Sequence, residues 1–106
     1  MGVDRVDYLF WGVKLSTDDI EYDEFEDEID GAPNARFDIV YDGMSRAYAM
    51  VGKVIARSDP YEGIEFIEVD APIEALDKMG LMVAVREAVP AAKEANFATY
   101  LFTHFH

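Results

Sequence analysis

The sequence predicts an α+β domain: one antiparallel-rich sheet, helices packed mainly on one face, in the order β-α-β-β-β-α-β. Three observations carry this. Asp4–Leu15 (DRVDYLFWGVKL) and Phe97–Phe105 (FATYLFTHF) share an aromatic and β-branched composition suited to neighbouring strands. Ala35–Asp42 alternates apolar and polar residues and ends on Asp42-Gly43, a hairpin turn signal. Two stretches between the strands carry the punctuation of helices.

Element by element, Asp4–Leu15 puts Leu9, Trp11, Val13 and Leu15 on one face and Tyr8 and Phe10 on the other. With both faces apolar it is a central strand, or one that reserves a face for a partner. Ser16 then reads as a helix N-cap, with Asp19 three residues on as in a capping box. Tyr22, Phe25 and Ile29 form an apolar stripe, and Gly31 and Pro33 stop the helix. Its other faces are almost wholly carboxylate, and Glu26, Asp27, Glu28 and Asp30 stand at the end the helix dipole disfavours. Ala35–Asp42 places Ala35, Phe37, Ile39 and Tyr41 on one face, and Arg36, Asp38 and Asp42 on the other. Arg46–Arg57 returns as its hairpin partner, with Gly52 marking a bulge. Ser58-Asp59-Pro60 and Gly63 break the chain before a short strand, Ile64–Val69. Asp70-Ala71-Pro72 opens a second helix, Gly80 interrupts it, Leu81–Val89 continues it and Pro90 ends it.

The 106 residues form a single acidic α+β domain, 1–106, with 51% apolar and 13% aromatic residues, enough for one modest core. No apolar run is long enough to span a membrane, and Met1-Gly2-Val3-Asp4 lacks a basic-then-apolar signal segment. The absence of cysteine excludes disulfides and thiolate zinc sites, so the expected compartment is the cytosol. A net charge of −13 excludes direct binding to nucleic acid or to an anionic membrane, since both demand a positive face.

That charge is clustered. Residues 15–35 contain no base and nine acids: Asp18, Asp19, Glu21, Asp23, Glu24, Glu26, Asp27, Glu28 and Asp30. Residues 58–77 contain no base and seven acids: Asp59, Glu62, Glu65, Glu68, Asp70, Glu74 and Asp77. The other 65 residues hold six acids and all nine bases, and are therefore slightly basic. A halophile's protein would spread its acids over the whole surface instead. Solubility alone could be had with mixed charges, without the mutual repulsion of nine carboxylates in thirteen positions.

Catalytic chemistry is not in view. Ser16, Ser45 and Ser58 stand in caps and turns, and no base accompanies them. His104 and His106 share one side of a strand at the chain end but lack a third ligand. Asp27-Glu28-Ile29-Asp30-Gly31 has the glycine of a calcium loop without its spacing or its closing glutamate. No cofactor motif is present, and the chain is read as a non-enzyme.

Asp7–Leu15 (DYLFWGVKL), Tyr41–Asp59 (YDGMSRAYAMVGKVIARSD) and Leu101–His106 (LFTHFH) together resemble small proteins encoded by tailed bacteriophages. The likeness covers about a third of the chain and rests on structural motifs. It implies a virus-encoded protein acting in the bacterial cytoplasm, and it assigns no catalytic residue. The charge layout is similar to that of acidic phage inhibitors that imitate the DNA phosphate backbone. The expectation is a DNA mimic occupying the basic cleft of a host DNA-binding enzyme such as a topoisomerase (gyrase), a nuclease or a CRISPR effector. The partner-binding residues would be Asp18, Asp19, Glu21, Asp23, Glu24, Glu26, Asp27, Glu28, Asp30, Asp59, Glu62, Glu65, Glu68 and Asp70. Tyr22, Phe25, Tyr61 and Phe66, set among the acids, would add apolar contacts or pack into the core. The alternative is a small accessory domain that binds a protein through its aromatic strands and is merely solvated by its acids. Pairing of two copies is compatible with either.

Overall fold

The computed structural model describes residues 5–43, 45, 47–59, 61–62 and 68–105. Its strands are β1 (Arg5–Leu15), β2 (Asp38–Tyr41), β3 (Ala49–Arg57) and β4 (Ala98–Phe105). Its α-helices are α1 (Glu26–Asp30), α2 (Asp70–Ala75) and α3 (Lys78–Ala88), with 3-10 turns at Thr17–Asp19, Tyr22–Glu24 and Pro90–Ala92. The strands form one antiparallel sheet in the order β2-β3-β1-β4, which is an α+β fold.

β1 is a central strand, as its two apolar faces require, and β4 lies directly beside it. On one face Val13, Ile39 and Val51 meet Val85, Val89 and Ala92 of the α3 region, together with Ile20 and Phe25. On the other, Val6, Tyr8 and Phe10 of β1 pack with Val40 and Met50, flanked by Tyr48, Tyr100 and Phe102. Stacking of Tyr8 on Phe102, with ring centroids 5.4 Å apart, ties β1 to β4 on that face.

The hairpin β2–β3 has a wider loop than the Asp-Gly pair suggests, because the ladder ends at Tyr41 and Ala49, followed by one backbone bond from the Asp42 amide to the Tyr48 carbonyl at 3.0 Å. Buried Asp42 organises that loop, accepting bonds from the Ser45 and Ala47 amides at 3.2 and 3.0 Å and from the Ser45 hydroxyl at 2.5 Å. Gly52 is not the bulge. It stands opposite Gly12, where a Cβ would collide with the Trp11 carbonyl oxygen, and one on Gly12 with that of Val51. The two glycines let the backbones of β1 and β3 approach. The bulge lies at Ile55, where the register slips between Leu9↔Ala56 and Phe10↔Val54.

The expected continuous helix after Ser16 is instead two 3-10 turns and the single-turn α1. Both Ile20 and Phe25 are buried, and five residues along one helix would point them about 140° apart. Breaking the helix sends both inward, while crowded like charges disfavour the continuous form. The punctuation holds: Ser16 caps the first turn through the Asp18 amide at 3.2 Å, and Gly31 ends α1 in the left-handed conformation, φ 72°.

The second helical stretch breaks at Leu76-Asp77 rather than at Gly80. Asp77 is the N-cap of α3, accepting from the Gly80 amide at 3.0 Å, and a Cβ at Gly80 would crowd that carboxylate. Residues 64–67 of the expected strand Ile64–Val69 lie outside the described residues, as do Pro60 and Gly63; Glu68 and Val69 are not strand.

Candidate functional site

The first acidic segment wraps the β2 edge of the sheet. Buried Ile20 and Phe25 fasten it to the core, and Ile29 packs against the same cluster. Because those side chains turn inward, the residues between them turn out: Asp18, Asp19, Glu21, Asp23, Glu24, Glu26, Asp27 and Asp30 are all exposed. Asp23, Glu24, Glu26, Asp27 and Glu28 line a single cleft of about 410 Å³, closed by Asn34 and Arg36.

Glu28 departs from the others. It is 6% exposed and accepts from the Arg36 guanidinium at 2.6 Å, so it is an internal partner rather than a displayed charge. Arg36 lies over the Phe37 ring at 5.2 Å and the Phe25 ring at 5.9 Å, joining ion pairing to cation–π contact. The guanidinium therefore anchors α1 to the strand that follows. Its sequence signal is its place as the first base after the acid run, directly before a buried Phe37.

Arg36 also closes a second concavity of about 360 Å³, with Lys53, Leu76, Asp77 and Gly80. Two bases thus stand between the first acidic cleft and the α2–α3 corner of the second segment. Lys53 reaches Asp38 at 3.7 Å, and the same Asp38 carboxylate accepts the Val54 amide at 2.9 Å, just beyond the start of β2.

In the second segment Asp59, Glu62, Glu68 and Asp70 are exposed, while Glu65 lies outside the described residues. Asp59 accepts from the Tyr61 and Glu62 amides at 2.8 and 2.9 Å, and these bonds hold its carboxyl below the usual carboxylate range. Of the aromatics set among the acids, Phe25 is core, Tyr22 is 46% exposed and edge-on to Tyr41, and Tyr61 is 87% exposed. Phe66 lies outside the described residues.

His104 is buried, and its Nδ1 shares a hydrogen bond of 2.6 Å with the Tyr48 hydroxyl. Burial, with Asp42 and Tyr8 adding, pushes that hydroxyl up to about 12. His106 lies outside the described residues, and no group of three metal-ligating side chains occurs among those described. No described helix is long and apolar enough to cross a membrane. Comparison of the chain with protein-family models, curated proteins and solved structures finds no match.

Proposed function

We propose that this chain is a DNA mimic, virus-encoded as its strand motifs imply, that inhibits a host DNA-binding enzyme by occupying its basic cleft. The supporting observation is the cleft in which Asp23, Glu24, Glu26 and Asp27 project from a segment pinned by Phe25 and the Glu28–Arg36 pair. DNA-binding sites array Lys and Arg against about one phosphate charge per 1.7 Å of duplex. Carboxylates on a fixed scaffold compete for such an array without the ordering cost a flexible acidic tail would bear. Exposed Tyr22 beside them supplies an apolar contact that a phosphate backbone lacks. The bases Arg36 and Lys53 between the two acidic regions favour the second reading, an accessory domain solvated by its acids.

Competition separates the two. A labelled duplex bound to a topoisomerase, a nuclease or a CRISPR effector is titrated with the chain, and anisotropy reports its displacement. Displacement of the duplex from one of these enzymes is expected. Binding of the chain to that enzyme, measured directly, should weaken steeply between about 50 and 200 mM salt. Asp23→Asn, Glu24→Gln, Glu26→Gln and Asp27→Asn together should abolish displacement without unfolding the chain, because none of the four is buried. Glu28 is excluded from this set because Arg36 depends on it. Glu74→Gln, in the second segment, is the control and should compete normally. Full-strength competition by the quadruple variant, or none by the native chain with any enzyme class, defeats the mimic reading.

A further inference from the structure

We propose that the outer edge of β4 is a homodimer interface, at which a second copy of this chain adds its own β4 antiparallel. Strand order leaves β4 at the sheet boundary, and among the described residues no strand pairs with its outer side. A free edge strand is a row of unpaired amides and carbonyls, which proteins ordinarily blunt with charge, proline, a bulge or a short length. The β2 edge has such protection: it is only four residues long and flanked by α1. β4 has none. Its eight residues, ATYLFTHF, include no Asp, Glu, Lys, Arg or Pro, its register with β1 is unbroken, and Leu101 is 79% exposed.

Charge layout selects a second copy as the occupant. The acids of 18–30 belong to the β2 side, three strand spacings or about 14 Å from β4. The nearest carboxylate on β1, Asp7, is held by the Thr103 hydroxyl at 2.6 Å and by Arg5 at 3.4 Å. A two-fold axis at β4 therefore joins the uncharged strands of two chains of charge −13 and sends both 18–30 segments outward. The strand also complements itself. Centred on Leu101, the antiparallel register sets leucine against leucine, Tyr100 against Phe102 and Thr99 against Thr103, so like polarity meets at these central pairs.

Sedimentation equilibrium of the full chain over micromolar concentrations tests this. The mass should rise from 12.0 kDa towards twice that value, and the dimer should tighten with added salt as the outer charges are screened. Leu101→Lys and Thr99→Lys change exposed side chains of this edge; the first sets like charges directly opposite across the axis, and the second sets a cation against Thr103 of the second copy. Each should weaken the dimer about tenfold or more while leaving the circular dichroism spectrum unchanged. Met79→Lys, on exposed α3 surface, should leave it unchanged. A chain that stays monomeric throughout, a dimer that salt weakens, or one that both edge variants leave intact overturns the proposal.

Discussion

The two acidic segments carry similar charge but are held in different ways. In 15–35, Thr17, Ile20, Phe25 and Glu28 are buried, so the backbone between them is fixed at short intervals. In the second segment, α2 buries none of its residues, and Val69, Ile73 and Leu76 are only partly covered. Carboxylates of the first segment are thus presented in a set geometry, whereas those around α2 ride on a weakly anchored turn of helix. Charge density alone does not make a recognition surface. The apolar residues interleaved with it decide whether the charges keep fixed positions, and local stability follows buried contact.

The comparison breaks most directly at Phe25. Phe25→Ala should cost about 3–5 kcal/mol in urea denaturation and release the acidic segment to proteolysis. A cost below about 1 kcal/mol would mean that the segment is not pinned by its core residues.

Arg36→Met comes next. It leaves the Glu28 carboxylate buried without its guanidinium, a loss of about 2 kcal/mol given that Arg36 itself is half exposed. Adding Glu28→Gln should recover part of that loss, because the uncompensated charge is then gone. A double variant no more stable than Arg36→Met would show that the arginine acts through its stacking on Phe37 rather than through its charge.

The smallest expected effect sharpens the picture of the second segment. The amides of Tyr61 and Glu62 favour the Asp59 anion, so its folded-state pKa lies below its unfolded one. The stabilisation is therefore present above the unfolded value and lost as pH falls through the folded one. Protection of the Tyr61 and Glu62 amides, taken relative to the exchange of an unstructured chain at the same pH, should fall in that acid range while protection in β1 and β3 persists. Asp59→Asn should weaken the same protection at neutral pH. Equal loss of protection across the sheet would instead make this turn part of the cooperative core.

Much of this architecture is legible in the residues. Period-two alternation marks β1, β2 and β4 because a strand with a buried face must repeat apolar side chains every second position. Ser16, Gly31 and Pro90 mark boundaries because capping and fixed φ angles are local properties that need no distant partner. The clustering of acids is likewise a property of the chain. Only the tertiary structure decided the rest. Helical spacing of Tyr22, Phe25 and Ile29 was overridden because Ile20 also has to reach the core, and burial outweighs the small preference for one continuous helix. Glu28 reads as one more surface acid until Arg36, eight residues away, covers it. Gly52 reads as a bulge until Gly12 of another strand stands opposite it. For Glu28 and Gly52 the deciding contact is made by a residue beyond the local pattern, and for Ile20 it is made by the sheet and α3 that its side chain has to reach.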